Sequence, residues 1–136
     1  MKKTFTGHTE RDFAIVLLHH VDLASGSADK TKKNWNSTTW ELMRTLTGHN
    51  NSVWSQAVLH NGDLASGSID KTIKIWDSST WELKRTLTGH SDWVSSLAVL
   101  QDGYLASGSA DKTIKIWDTS SGSLVRNLTG HSDWIL

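Results

Sequence analysis

Short stretches of alternating apolar and polar residues run along most of the chain. In one of them Ile114 and Ile116 flank Lys115, and β-branched residues in this pattern are typical of strands. A run of small residues at 105–109 and a polar turn around Asp111 precede it. The pattern predicts a β-hairpin. No helix is predicted. In every window the spacing of the apolar residues fits the period of two of a strand better than the period of a helix.

This hairpin segment recurs at a constant interval of 41 residues. It reads LASGSADKTIKIWD at 105–118, and related copies occupy 64–77 and 23–36. Gly-His dipeptides share the interval, and 48–88 matches 89–129 at 26 of 41 positions. We therefore predict repeats at approximately 7–47, 48–88 and 89–129, with a partial fourth repeat at 130–136.

The repeat length and its two marker dipeptides, Gly-His before and Trp-Asp after, resemble the WD-repeat family. In that family each repeat forms one four-stranded blade of a β-propeller. The resemblance covers essentially the whole chain, and it implies an all-β fold with three four-stranded antiparallel blades in one propeller segment, 1–136. Propellers typically have about 4 to 8 blades, so three blades form an incomplete ring.

The sequence has one outer strand more than three blades need. Residues 2–5 align with the strand that precedes each Gly-His, and 124–127 supply the same strand later in the chain. In closed WD-repeat propellers an outer strand from one end completes the blade at the other end, so these two segments would compete for that position.

Two chains would give six blades and three would give nine. We expect either self-association into a ring, with a dimer preferred to a trimer, or a fragment or sensor portion of a larger multidomain WD-repeat protein that has no independent activity.

The first repeat departs from the other two. Val21 stands where they have Gly62 and Gly103, so its turn is expected to differ, because valine resists positive φ. Lys32 and Asn34 replace isoleucines of the later repeats, which predicts a polar face on this blade. We interpret that face as a block to association at the open edge of the chain.

Four side chains recur at constant offsets in every repeat. The loop before the first strand and the turn of the hairpin share one end of a meander, which brings His90 towards Asp111. Ser107 and Trp117 are equidistant from Lys112, so a hairpin centred there would set them opposite each other. The family resemblance implies a structural relay of hydrogen bonds from tryptophan through serine and histidine to aspartate. The relay residues are His8, Ser25, Asp29 and Trp35; His49, Ser66, Asp70 and Trp76; and His90, Ser107, Asp111 and Trp117.

Catalytic and metal-binding interpretations of these residues are weaker. A Ser-His-Asp hydrolase needs an exposed hydroxyl on a strained turn and an oxyanion hole, whereas these serines lie within regular strands. Among the seven histidines only His19 and His20 are adjacent, and neighbouring strand residues point to opposite faces. We therefore predict a protein that is not an enzyme and that has no metal or other cofactor.

Tryptophans also mark a candidate binding surface. Trp93 and Trp134 precede the first strand of a repeat, at the end where this family commonly binds peptides. An acidic residue adjoins each ring, a combination that suits interfaces, although packing between loops is the ordinary alternative. Trp40 and Trp81, at the opposite end, are expected to pack at the rim. The predicted partner-binding residues are Asn51, Ser52, Asp92, Trp93, Asp133 and Trp134.

Composition narrows the classes of partner. Fourteen basic and 14 acidic residues are interspersed and give a formal net charge of zero, so binding to nucleic acid or an anionic membrane is not expected. The apolar run 13–18 is too short for a membrane span or a signal peptide. The absence of cysteine excludes disulfides, and a cytoplasmic location is the default expectation. The leading hypothesis is a protein–protein interaction scaffold with a protein or peptide partner.

Overall fold

The computed structural model describes residues 6–18, 22–36 and 38–136. Within them the chain forms three antiparallel four-stranded sheets, and none of the described residues forms a helix able to cross a membrane. We call the sheets blades 1 to 3, and in each the strands pair in chain order. Blade 1 contains β1 (Asp12–Leu17), β2 (Leu23–Ser27), β3 (Lys32–Trp35) and β4 (Leu42–Leu46); blade 2 contains β5 (Val53–Val58), β6 (Leu64–Ser68), β7 (Ile73–Trp76) and β8 (Leu83–Leu87); and blade 3 contains β9 (Val94–Val99), β10 (Leu105–Ser109), β11 (Ile114–Asp118) and β12 (Ser123–Leu128). The predicted all-β fold of three blades in an unclosed ring is confirmed.

Two hairpin turns take the backbone conformation that the sequence predicts. Gly62 and Gly103 have φ angles of 92° and 91°, which other residues rarely adopt. The requirement for glycine at these turns is therefore confirmed. The predictions for Val21, for the histidine pair at 19–20 and for the surplus strand at 2–5 fall outside the described residues.

The blades stack face to face in chain order. β1, β5 and β9 adjoin one another, so the first strand of each blade lies on the inner side of the arc. We call the face that a blade turns towards the next blade its forward face, and the opposite side its backward face. The contact between blades 1 and 2 is the first seam, and the contact between blades 2 and 3 is the second seam.

The second seam is apolar. Ile73 and Ile75 of blade 2 meet Leu105 and Trp117 of blade 3 in one cluster, and all four side chains are at most 2 % exposed. Glycine at position 67 lets Val94 approach closely, because a Cβ there would lie 2.6 Å from a valine methyl group. Burial of this cluster is the main source of cohesion between the two blades.

The first seam combines an apolar cluster, which includes Leu46 and Trp76, with buried polar side chains. Lys32 and Asn34 are 0 % and 2 % exposed on the forward face of blade 1, at the positions of Ile73 and Ile75 in blade 2. The prediction that this polar face lies at the open edge of the chain is wrong. Blade 2 covers it, because each forward face packs against the blade that follows in the chain.

Candidate functional site

Each blade joins four side chains in one hydrogen-bonded relay. In blade 3, Trp117 Nε1 donates to Ser107 Oγ at 2.9 Å, and His90 Nε2 lies 2.7 Å from the same oxygen. His90 Nδ1 lies 2.7 Å from Asp111 Oδ2. A neutral histidine with its proton on Nδ1 fits this geometry, because the serine hydroxyl then donates to Nε2 and Nδ1 donates to the carboxylate. Every polar group of the relay thereby has a partner.

The relay repeats with nearly the same geometry in the other two blades. The tryptophan–serine, serine–histidine and histidine–aspartate distances are 3.0, 2.7 and 2.8 Å in blade 1. They are 3.0, 2.8 and 2.8 Å in blade 2. The structure thus brings together Trp35, Ser25, His8 and Asp29 in blade 1, and Trp76, Ser66, His49 and Asp70 in blade 2.

The tryptophan and serine of a relay are not directly opposite each other, which corrects the sequence prediction. In blade 3, Leu105 lies opposite Trp117, and Ser107 lies opposite Lys115. The hairpin is centred one residue earlier than predicted, because Lys112 takes a left-handed φ of 72° as the last residue of the turn. The indole reaches the serine diagonally, as residues two apart on a strand share a face.

A threonine completes each relay, and sequence reasoning missed it. Thr113 donates its hydroxyl to Asp111 Oδ1 at 2.6 Å and its backbone N–H to the same oxygen at 2.9 Å. Ser91 N donates to the other carboxylate oxygen at 3.1 Å. Thr31 and Thr72 make the corresponding hydroxyl contacts in the other blades. Their constant position two residues after each relay aspartate is the signal that could have identified them.

Burial and hydrogen bonding favour a neutral histidine beside an ionised aspartate. Burial lowers the pKa of His90 from its ordinary value, although the neighbouring carboxylate acts in the opposite direction. The pKa of His49 is lowered for the same reason. Burial alone would raise the pKa of Asp111, but hydrogen bonds from Thr113 and His90 outweigh it and lower the pKa to about 2.

In blades 2 and 3 the relay has the atoms of a hydrolase triad but not their accessibility. Ser66 and Ser107 are 0 % exposed, and each hydroxyl is held between an indole and an imidazole. A substrate carbonyl therefore has no path to either of these serine oxygens, whereas Ser25 of blade 1 lines a cavity of about 240 Å³. What the arrangement does is to join the loop that carries the histidine to the hairpin turn that carries the aspartate.

Within residues 6–18, 22–36 and 38–136, no group of three or more acidic or histidine side chains is placed to hold a metal ion.

The relays define what we call the upper end of the arc, and three tryptophans form a row there. The rings of Trp54 and Trp93 have centroids 5.5 Å apart, and those of Trp93 and Trp134 are 5.9 Å apart, both at 50°. Trp134 is 55 % exposed. The predicted residues Trp93 and Trp134 are therefore adjacent, and Trp54 extends the row.

The predicted acidic residues are held beside two of these rings. Asp92 Oδ1 accepts a hydrogen bond from the backbone of Trp93 at 2.8 Å, and Asp133 Oδ1 does the same for Trp134. In the equivalent loop of blade 2, Asn51 Oδ1 accepts from Ser52 N at 2.8 Å. Ser52 Oγ also donates across the first seam to the carbonyl of Ala28.

The opposite end, the lower end, has a different arrangement of tryptophans. Trp40 and Trp81 lie in the turns before β4 and β8 with φ angles of 62° and 61°. Trp81 packs against the apolar cluster of the first seam, and Trp40 is 38 % exposed. Trp81 therefore packs at the rim of blade 2, and Trp40 occupies the equivalent turn of blade 1.

Comparison with known proteins agrees with this geometry. The family model "WD domain, G-beta repeat" matches residues 40–77 and 81–118. A search of curated proteins found no match. Two similar solved structures are described as "Structure of U3-55K" and "Crystal structure of RRP9 WD40 repeats". Each has a TM-score of 0.91 and 29% sequence identity, and each comparison covers 95% of this chain.

The present sequence spans 42% of the length of those two structures. The two family-model matches together cover more than half of the 136 residues, and they begin at strand boundaries rather than at the Gly-His dipeptides. With three consecutive blades, each closed by a Trp-Ser-His-Asp relay, the chain belongs to the WD domain, G-beta repeat family.

Proposed function

We propose that the chain is a non-enzymatic scaffold for protein–protein interaction, and that its upper end binds the partner. The observation that supports this most directly is the row formed by Trp54, Trp93 and Trp134. WD-repeat proteins generally act as interaction scaffolds. The binding surface consists of Asn51, Ser52, Asp92, Trp93, Asp133 and Trp134.

The exposure of Trp134 and the partial exposure of Trp54 and Trp93 favour binding. An indole in water leaves a large apolar area unburied, and tryptophan is enriched among the residues that dominate binding energy. Each carboxylate beside the row uses one oxygen to accept a hydrogen bond from the backbone of the neighbouring tryptophan, which orders its own loop. A peptide could thus bury a side chain against the rings and pair a donor with a carboxylate.

The relays keep the upper loops in place. His90 and Ser91 N bind Asp111, so the start of the loop is tied to the hairpin turn. Ser109 Oγ donates to the carbonyl of Asp92 at 3.2 Å, which ties the tip of the loop as well. A loop held at both points loses little conformational entropy when a partner binds.

The test uses a peptide selected on the wild-type chain from a random displayed library. The double variant Asp92→Ala, Trp93→Ala should weaken its binding by about tenfold or more. The matched variant Trp40→Ala, Trp81→Ala changes the lower end and should bind as the wild type does. Retained binding in the upper-end variant, with loss in the lower-end variant, would place the site at the other end. Light scattering checks that neither variant changes the mass of the protein.

A second proposal is self-association of the chain. It is supported by the exposure of Ile15 and Leu17 on the backward face of blade 1, at 68% and 60%, and of Leu128 on the forward face of blade 3, at 41%. The alternative is that further blades of a longer WD-repeat protein cover these faces.

We also propose a cytoplasmic location for the chain.

A further inference from the structure

The forward face of blade 3 repeats that of blade 2 at every position. In blade 2 this face packs into the second seam, where its side chains contact blade 3. In blade 3 no other described blade covers the same residues, and a cavity of about 170 Å³ lies over part of them. The matching residues are Ala57, Leu59, Ala65, Gly67, Ile73, Ile75 and Leu87 in blade 2, and Ala98, Leu100, Ala106, Gly108, Ile114, Ile116 and Leu128 in blade 3.

The backward face of blade 1 is of the type that such a forward face receives. It presents Leu23 and Trp35 where blade 3 presents Leu105 and Trp117 to blade 2. Ile15 stands at the position of Leu97, so an apolar side chain is kept there as well, whereas Asp12 stands at the position of Val94. A cavity of about 240 Å³ lies over this face, and Ile15, Leu23 and Trp35 line it.

The first seam differs from both of these faces because it contains what we call the polar trio, Lys32, Asn34 and Gln56. Lys32 Nζ lies 3.4 Å from the centroid of the Trp76 ring, and neither that amine nor the Asn34 amide has a hydrogen-bond partner. Gln56 Nε2 donates across the seam to the carbonyl of Ala14 at 3.4 Å.

The two seams therefore differ: in the first, Lys32 lies over the Trp76 ring and Gln56 reaches the backbone of Ala14, whereas the second is lined by apolar side chains. Gln56 of blade 2 stands at the position of Leu97 in blade 3 and Ile15 in blade 1. The forward face of blade 3, with Ile114 and Ile116, matches a backward face that carries isoleucine. If the forward face of blade 3 packed against Gln56, the buried amide of that side chain would have no hydrogen-bond partner, which costs stability.

We propose that the forward face of blade 3 docks on the backward face of blade 1 in a second copy of this chain. Two copies then close a six-bladed ring, and Gln56 disfavours docking of the same forward face on the backward face of blade 2. Single buried polar residues are known to select one pairing among several at a cost in stability. The proposal rests on the self-association put forward above and specifies its partner and its interface.

The area is sufficient for a reversible complex. Four strands of about 5 residues, spaced about 4.8 Å, give a face of roughly 300 Å². A ring of two copies forms two new seams from four such faces, or about 1,200 Å² in total, at the lower limit of specific interfaces.

Docking has to displace the segment 134–136. Ile135 lies against Gly108, where a Cβ would be 2.6 Å from its methyl group, as Val94 lies against Gly67. The start of β1 from the second copy, where Asp12 stands at the position of Ile135, would take this place. Ile135→Gly is therefore expected to tighten association, by about fivefold for a loss of roughly 1 kcal/mol of packing. Unchanged or weaker association would contradict this placement.

Sedimentation equilibrium on the full chain, from about 10 μM to about 1 mM, tests the ring. The expected result is a monomer–dimer equilibrium. A monomer over the whole range, or a trimer, overturns the proposal.

Introducing Lys and Asn in blade 3, at the positions equivalent to Lys32 and Asn34, tests which residues form the interface. Ile114→Lys with Ile116→Asn should weaken the dimer by about tenfold or more, because it buries polar groups against Ile15. Adding Ile15→Gln should recover part of that loss, as a double-mutant cycle would show. Lys112→Glu changes an exposed side chain at the β10–β11 turn, whose counterpart Lys71 in blade 2 also stays exposed, and is the matched control. Equal effects of the control, or no recovery with Ile15→Gln, overturn the assignment of these faces.

Association and peptide binding can fail separately. The peptide assay at the upper end does not involve either open face, so it is run on the same variants. Denaturant melts of the monomer confirm that each variant folds.

Discussion

Lys32 Nζ lies over the ring of Trp76, 3.4 Å from its centroid, in the middle of the first seam. The side chain is 0 % exposed, and burial lowers its pKa well below the ordinary value, with repulsion from Lys74 acting in the same direction. An amine and an aromatic face attract each other, but the contact does not replace the lost hydration. This seam is therefore the less stable of the two.

Replacing this amine should stabilise the protein. For Lys32→Met we expect the free energy of unfolding to rise by about 1–2 kcal/mol at pH 7, since an unpartnered buried amine is removed. Because the folded pKa is depressed, the unfolded chain binds more protons below pH 10.5, and wild-type stability rises with pH up to that value. The gain should therefore shrink between pH 7 and pH 10. Lys112→Met, at an exposed turn, is the control, and a gain that is independent of pH would contradict the buried-amine account.

The relay tryptophans should contribute more to stability than the upper-end row. Trp117→Ala should cost about 3–5 kcal/mol, because it leaves a cavity in the second seam and a hydroxyl without its donor. Trp93→Ala should cost less than about 1.5 kcal/mol, because Trp93 is only partly buried. Urea melts of both variants provide the comparison, and similar losses would reject the distinction.

Acid should weaken the relays in two steps. The pKa of His90 is lowered by burial, so the unfolded state takes up protons first and stability falls as the pH drops below about 6.5. The pKa of Asp111 is lowered to about 2 by the hydrogen bonds that outweigh burial, so its contribution is present above pH 3.8 and is lost as the pH falls towards 2.

The first step can be assigned with a histidine variant. His90→Gln should be less stable at pH 8 but should lose less stability between pH 6.5 and pH 5 than the wild type. His131→Gln changes an exposed histidine and serves as the control. Parallel pH profiles for the wild type and His90→Gln would show that this histidine is not responsible.

Two glycines should respond differently to alanine. At Gly67 a Cβ would lie 2.5 Å from Ser55 Oγ and 2.6 Å from a methyl group of Val94, so Gly67→Ala should cost about 2–3 kcal/mol by forcing the second seam apart. At Gly103 the nearest atom is 3.6 Å away, and the φ of 91° is the main obstacle. Gly103→Ala should cost about 1 kcal/mol. Equal costs in denaturant melts would contradict the packing argument for Gly67.

Much of the fold could be predicted because its signals are local and repeated. Hydrophobic alternation and small-residue runs predict the strands, and Gly62 and Gly103 mark turns that need positive φ. The relay members could be chosen because their offsets are constant. The register of the hairpin could not be predicted from the position of Lys112 midway between Ser107 and Trp117. The φ angle of Lys112 decides how the two strands pair.

What only the tertiary structure decided concerns contacts between blades. Sequence alone shows that Lys32 and Asn34 are unusual, but not that blade 2 buries them or that Gln56 lies in the same seam. It shows Trp54 and Trp93 separately, but not that their rings adjoin. These residues belong to different repeats, and no pattern within one repeat states which face of a blade meets the next. The strand pattern follows from local backbone preferences, whereas the faces that meet follow from the stacking of whole sheets.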